Sequence, residues 1–345
     1  MSLDSQRFLV ADVGGTNCRL ASVDMHGTVS RIVDVQVFQT AAYSSFTAAV
    51  SRFMENRQDK SPFHGCCVSV AGPVVGDVAQ MTNAPWTIDA GEIESELKVP
   101  TAVINDFSAL SYGLPQLDLH GGADVTALAH GNGETPQPSG AVRAVVGAGT
   151  GLGVGFLVET AEGYFGLPSE AGHSGFAPFD ERSRGLRGAV SEKLGAYPGT
   201  EAFVSGQGIT NWFDWLYVEL GRPKTCKEIA SLEPEERPAA IAAGAPGNEL
   251  CAIVMDEFFR GYGHFASDVA LHYIPKGGLF IAGGIAAKNR KLFLSSPFME
   301  AFDENYRANV REVLLSIPVF LIEQEHTALH GAALFISQQL QRRHQ

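Results

Sequence analysis

Short apolar runs that stop at glycine set the rhythm of this chain. Phe8-Leu-Val-Ala-Asp12 is a strand ending in a carboxylate, Val13-Gly-Gly-Thr-Asn17 a tight turn, and Arg19–Asp24 an alternating second strand. His26-Gly27 turns into a third strand over Ile32–Phe38, so the opening reads as an antiparallel meander. Phe46, Ala49, Val50, Phe53 and Met54 recur at helical spacing, which predicts a helix from Ser44 to Glu55 capped by Ser44 or Ser45. Gly65–Val70 is a buried strand, Thr82–Trp86 a turn cluster, Ile88–Leu97 a helix and Thr101–Ile104 the next strand. Asn105 and Asp106 follow, and a helix begins by Ser108.

The pattern then repeats. After a loop rich in Gly and Pro over 130–140, Val142–Gly147 is apolar, Ala148-Gly-Thr-Gly-Leu-Gly153 turns, Val154–Val158 returns, and Glu162-Gly163 leads into Tyr164–Leu167. Strand, turn of glycines with one threonine, strand, turn, strand thus occurs twice, which predicts two related domains, each opening with a glycine hairpin. Further on, 168–178 reads as irregular, with a helix near Ala189–Leu194 and a helical turn starting at Glu201. Ile209, Trp212, Phe213, Leu216, Tyr217 and Leu220 form a helical stripe that makes Trp212 core and leaves Trp215 off it. Residues 231–248 read as surface loop plus a short helix, Leu250–Tyr273 as one long helix, Gly278–Ala282 and Val319–Ile322 as strands, and Leu329–Leu340 as the terminal helix.

Composition narrows the function classes. A net charge of −13 repels nucleic acid and anionic lipid, so neither is expected as a partner. No apolar run approaches the roughly 18 residues that a membrane span needs, and no signal peptide is evident, which points to the cytoplasm. Cys18, Cys66, Cys67, Cys226 and Cys251 contain no C-x-x-C, so reduced thiols are expected, without a disulfide framework or zinc site.

The polar residues at the ends of the apolar runs carry the chemistry. Asp106 stands at a strand-to-helix corner, where a carboxylate serves either as an N-cap or as a general base at the carboxyl end of a sheet. The turn Asp12-Val-Gly-Gly-Thr-Asn17 lacks the spacing of a dinucleotide fingerprint and the Gly-Lys of a P-loop. Its glycines turn amides toward an anion, Thr16 adds a hydroxyl, and Asp12 is placed to order water around Mg²⁺. Taken singly it is a plain turn; paired with Gly147–Gly153 it predicts a polyphosphate cradle. Neither loop holds a lysine. Charge neutralisation then falls to amide dipoles and a divalent cation, so Mg²⁺ is expected. Gly283-Gly284 after a buried strand is either a further nucleotide contact or a bare turn. Asn105, Asp106, Glu170, His173 and Glu201 are loop donors and acceptors of the kind that read a polyol. Taken one at a time, His173 is equally a structural histidine and Glu201 a favoured charge at a helix start.

Asp12-Val-Gly-Gly-Thr-Asn17, Asn105-Asp-Phe107, Gly147-Ala-Gly-Thr-Gly-Leu-Gly153, Glu170-Ala-Gly-His173 and Phe280-Ile-Ala-Gly-Gly-Ile285 closely resemble the bacterial ATP-dependent glucokinase family, in order from Val10 to about Leu334. The resemblance implies an α/β, two-domain actin-like/hexokinase (ribonuclease H-like) ATPase fold with an interdomain cleft. It implies a small domain of 1–115 plus 326–345 and a large domain of 116–325. It also implies ATP-dependent phosphorylation of the 6-hydroxyl of D-glucose by a homodimer, with closure of the domains excluding water. By the same resemblance Asp106 is the base. Asn105, Glu170, His173 and Glu201 read glucose, with Asn83 a weaker candidate. Gly14, Gly15, Thr16, Asn17, Gly149 and Thr150 face the phosphates, and Gly283 and Gly284 the adenine. Ser169, Ala171 and Gln207 depart from the family's usual residues and bear on loop stiffness beside the sugar. Alternatives are a kinase for fructose or mannose, a sugar-sensing regulator on the same fold, and an actin-like filament or chaperone ATPase. The regulator needs a DNA-binding segment, and no basic helix precedes the first strand.

Overall fold

The computed structural model describes residues 5–81, 86–120 and 122–343. Its contacts divide the chain into one unit of residues 1–120, 157–168 and 324–345, and a second of 121–156 and 169–323.

In the first unit Gln6–Val13, Asn17–His26 and Val29–Gln39 form the expected meander. Gly65–Val70 then pairs parallel with the first strand, and Thr101–Asn105 pairs parallel with Gly65–Val70. Side chains alternate across the sheet, and both faces are covered. Leu9, Ala11 and Val13 join a core that includes Phe46, Val50 and Phe53 of the helix Phe46–Asn56. Phe8 and Val10 join a second core that includes Leu329, Ala333 and Ile336 of the helix Thr327–Arg343. Burial on both faces is why Gln6–Val13 and Gly65–Val70 read as apolar runs, whereas Val29–Gln39 is largely unburied at the edge. Ser45 is the cap of Phe46–Asn56, accepting from Ala48 N–H at 3.1 Å.

The six-stranded sheet repeats the plan. Val142–Ala148 and Leu152–Thr160 are joined by the second glycine turn, Gly163–Leu167 follows, and the strand order mirrors the first sheet. On the inner side of Val142–Ala148 the strands Leu279–Ala282 and Val319–Ile322 run parallel. An edge strand, Val125–Leu128, closes that side antiparallel. The helix Glu249–Tyr273, capped by Asn248, is buried on most of its surface and packs against Gly206–Glu219 and Phe298–Asp303.

Two expectations need correction, and one strand is additional. The helix expected over Ile88–Leu97 starts later: Thr87–Asp89 is a short strand, and the Asp89 carboxylate caps Ala90–Leu97 through Gly91 N–H at 2.8 Å. The helix near 189–194 is Glu181–Leu194, started by a capping box in which Asp180 accepts from Ser183 N–H at 2.7 Å and Ser183 Oγ accepts from Asp180 N–H at 2.9 Å. Val125–Leu128 was not anticipated, being too short to show a period. Of the turn cluster Thr82–Trp86, residues 82–85, and with them Asn83, lie outside the described residues; Trp86 is buried and donates to Tyr43 O at 3.1 Å. All five cysteines are free and buried.

Candidate functional site

In the first unit the register places Asp12 beside Ser69, and Val70 beside Asn105. Asp12 and Asn105 therefore stand at the carboxyl ends of parallel strands, where open α/β sheets present their ligands. Asn105 is the cap of the helix Asp106–Gly113: its Oδ1 accepts from Phe107 N–H at 2.9 Å while Nδ2 donates to Gly72 O at 3.0 Å. Capping thus falls mainly to Asn105. Asp106 takes the first helical position, with one carboxylate oxygen also accepting from Phe107 N–H at 3.0 Å. Burial pushes the Asp106 carboxyl up to about 6; the Phe107 N–H opposes this, and the negative charge of Asp12 adds to it. Burial likewise raises the Asp12 carboxyl above its ordinary range, with Arg19 opposing from 3.3 Å.

The turn after Asp12 is closed by Gly14 N–H to Asn17 O at 2.9 Å and tied down by Thr40 N–H to Thr16 O at 2.9 Å. Asn17 Oδ1 accepts from Gln39 Nε2 at 2.9 Å, which holds the side chain along the meander. Thr16 remains exposed at the tip.

In the second unit Gly149 N–H closes its turn onto Gly151 O at 2.8 Å, and Thr150 is exposed at the tip. Glu170 and His173 flank a short 3-10 turn, Ala171–His173, and Ser169 Oγ accepts from Ala171 N–H at 3.2 Å. Their side chains stand 77% and 63% exposed and 3.9 Å apart, which leaves both open to a ligand. Glu201 lies in the 3-10 turn Thr200–Ala202, bound to the first turn through Thr200 N–H to Ser174 O at 2.7 Å. Glu201 does stand in the first turn of this short helix, and its side chain also accepts from Leu152 N–H at 2.8 Å across to the second hairpin. Gly283 follows the strand Leu279–Ala282 in a left-handed conformation, φ 86°, and a Cβ there would lie 2.3 Å from Ala148 O. Gly284 opens the short helix Gly284–Lys288 beside the same strand ends. Gln207 donates to Asn211 Oδ1 at 3.1 Å within its own helix.

Sequence reasoning missed Tyr262. It is fully buried, and its hydroxyl donates to Val146 O at 2.9 Å, accepts from Ala148 N–H at 3.2 Å and lies 3.3 Å from Ala282 O. One phenol therefore ties together the strand ends that carry the second glycine turn and Gly283. Tyr262 falls among the buried positions of its helix, off the polar row Asp256, Arg260, His264, Asp268 and His272, so nothing in the local pattern separates it from ordinary core.

A glucokinase family model matches residues 9–339. The chain belongs to the glucokinase family. A curated glucokinase from Tolumonas auensis is 33% identical over 338 residues, covering 97% of this chain and 98% of its own. The crystal structure of a glucokinase from an Antarctic psychrotroph superposes with a TM-score of 0.80 at 28% identity, over 96% of this chain and 98% of the other. A ROK family glucokinase from Streptomyces griseus, solved with glucose and AMPPNP, shares the fold with a TM-score of 0.60 at 19% identity, over 95% and 98%. The fold is the α/β actin-like/hexokinase ATPase fold that the motifs led us to expect, and membership of this family makes the protein an enzyme rather than a regulator or filament.

Proposed function

We propose that the protein transfers the γ-phosphoryl group of ATP to the 6-hydroxyl of D-glucose, giving glucose 6-phosphate and ADP. The observation that carries this reading is Asp106: a half-buried carboxyl at the end of a parallel strand, relieved of capping by Asn105 and made more basic than an ordinary aspartate. At neutral pH it is largely ionised and still basic enough to take a proton, which is the compromise a general base needs. Asp106 accepts the proton of the 6-hydroxyl. The sugar oxygen forms its bond to the γ-phosphorus as the bond to the β,γ-bridging oxygen breaks, and that electron pair leaves with ADP. Such a transfer depends on positioning and on spreading charge more than on covalent chemistry.

Asn105, Glu170, His173 and Glu201 read the sugar hydroxyls in this proposal, and Asn83 is retained as a weaker candidate. Asn105 keeps one N–H and one lone pair beyond its two internal bonds. Gly14, Gly15, Thr16, Asn17, Gly149 and Thr150 face the phosphates; Gly283 and Gly284 face the base. The residues present suit Mg²⁺. No three His, Cys, Asp or Glu side chains among the described residues are grouped to hold an ion by themselves. Mg²⁺ usually keeps several waters and takes one or two carboxylates plus substrate phosphates. Asp12, whose raised carboxyl marks a place where negative charge is costly, fits that demand through water. When bound, the ion neutralises charge on the phosphates, which lysine-free loops cannot do.

The proposal includes a small domain of 1–115 plus 326–345, a large domain of 116–325, and a homodimer working in the cytoplasm. Among the described residues no helix is long and apolar enough to cross a membrane. The test is ADP release with ATP-Mg²⁺ across glucose, fructose and mannose. Glucose is expected to give the highest kcat/KM; a higher value for fructose or mannose would overturn the substrate assignment. Sedimentation at assay concentration reads the dimer.

A further inference from the structure

The peptide of Leu152 is held from two sides by the turns assigned to the sugar. Its N–H donates to Glu201 Oε2 at 2.8 Å. Its carbonyl presses on Gly172, in the turn between Glu170 and His173, where a Cβ would lie 1.9 Å from Leu152 O. A Cβ at Gly151, just before it, would sit 2.6 Å from Glu201 Oε2 and push that carboxylate aside. The two sugar-side turns are joined to each other by Thr200 N–H to Ser174 O at 2.7 Å and by a bridge between Gly175 and Gly199. The hairpin is also anchored to the next helix, Gly206 N–H donating to Gly149 O at 2.8 Å.

We infer that Glu201 couples sugar binding to nucleotide binding: one carboxylate oxygen fixes the phosphate-side hairpin at Leu152 and the other is left for a sugar hydroxyl, with Gly151 and Gly172 keeping the space that this sharing needs. The inference rests on the assignment of Glu201 to the sugar and of the second hairpin to the phosphates. A carboxylate oxygen accepts two or more hydrogen bonds, so the sugar need not displace Leu152. Each ligand then firms the same group for the other. Because binding linkage is reciprocal, the gain that sugar gives nucleotide must equal the gain that nucleotide gives sugar.

Gly151→Ala separates this from independent sites. The added methyl meets only the end of a flexible side chain, so the variant is expected to fold, with melting as the check. It alters a residue of the nucleotide hairpin, yet the expected result is a glucose Kd raised about fivefold or more with no nucleotide present, the scale of one lost charge-assisted hydrogen bond. In the unaltered protein a non-hydrolysable ATP analogue is expected to bind about fivefold tighter with saturating glucose, and this ratio is expected to fall toward one in Gly151→Ala. Glu201→Ala is the companion. If Glu201→Ala weakens glucose binding while Gly151→Ala leaves it within about twofold, the coupling is overturned and the sugar assignment stands. If Glu201→Ala leaves glucose binding unchanged, the sugar assignment of Glu201 is overturned and the coupling with it. Should Gly151→Ala fail to fold, amide exchange in the unaltered protein decides: glucose alone is expected to slow exchange at Leu152, and unchanged exchange overturns the coupling.

Discussion

The two glycine hairpins share a strand plan but are held in different ways. The first, over Gly14–Thr16, is fastened by its own meander: Asn17 O and the Gln39 side chain within the sheet, and Thr40 N–H just past the end of its third strand. Its carboxylate, Asp12, comes from its own strand. The second, over Gly149–Gly151, is fastened from outside its sheet, by Glu201 at Leu152, by Gly206 at Gly149 and by the Tyr262 hydroxyl at Ala148. It brings no acid of its own and uses one from a neighbouring turn. A locally fastened loop is set once its strands pair. A remotely fastened loop senses whatever moves its anchors. The first is thus suited to a fixed platform, the second to responding to what is bound.

The largest effect is expected where the first unit concentrates its acids. Asp106→Asn keeps the size and the contact with Phe107 N–H but removes the base, and turnover is expected to drop roughly 10²–10⁴-fold. A variant within about threefold of the parent would remove Asp106 from the role. In the parent, kcat/KM for glucose is expected to fall about tenfold per unit below about pH 6, as the raised carboxyl is protonated. Stability should move the other way. A carboxyl raised on folding favours the native state below its unfolded value, and that advantage is lost as pH rises through about 6. Asp106→Asn escapes that loss. It is expected to be more stable than the parent by about 1–3 kcal/mol at pH 7.5, with no gain near pH 4, as read by denaturant melts at both pH values.

Gly283→Ala comes next, on the second unit. A side chain is disfavoured there by φ 86° and by Ala148 O at 2.3 Å from the would-be Cβ. Backbone strain alone costs about 1–3 kcal/mol, so a clear fall in melting temperature is expected together with a raised KM for ATP. An unchanged melt would show that the strand ends are free to part.

Tyr262→Phe is a smaller change with a sharper reading. It leaves Ala148 N–H without this partner at a fully buried position, at about 1–3 kcal/mol. KM for ATP is expected to rise several-fold while the Kd of glucose measured alone stays the same. A change confined to melting, with both ligand constants unmoved, would reduce Tyr262 to ordinary core and remove one of the second hairpin's three anchors.

How far the sequence reveals this follows from the range of each interaction. The strands, the meander repeat, the Asn105-Asp106 corner and the long helix Glu249–Tyr273 are legible because apolar periodicity and glycine turns are local. Glu181–Leu194 is obscured by its arginines, glycines and small residues, which leave only Leu186 and Val190 as buried large apolar positions, though the Asp180–Ser183 spacing marked its start. The division of labour between Asn105 and Asp106 is invisible in a string where both residue types cap equally well. Glu201 and Leu152 lie 49 positions apart, and Tyr262 and Ala148 lie 114 apart. Contacts at such separations are made by topology, and no spacing rule in a single sequence reports them.

The smallest expected effect separates protein demand from ligand demand at the hairpin tips. A Cβ at Gly149 would meet nothing within 4 Å, and at Gly14 only Asn17 O at an ordinary 3.4 Å; neither glycine has a positive φ. Nothing in the fold therefore requires glycine at either place. Gly14→Ala and Gly149→Ala are each expected to leave stability unchanged or raise it by about 0.4–1 kcal/mol, through reduced freedom of the unfolded chain. Both are nevertheless expected to raise KM for ATP, because backbone amides that approach a phosphate have no room for a methyl between them. If either alanine variant kept its KM for ATP, that hairpin's glycine would be answering to neither protein nor nucleotide, and its place in the cradle would be lost. If Gly149→Ala also disturbed glucose binding while Gly14→Ala did not, the contrast between a self-fastened and a remotely fastened loop would extend from structure to ligand response.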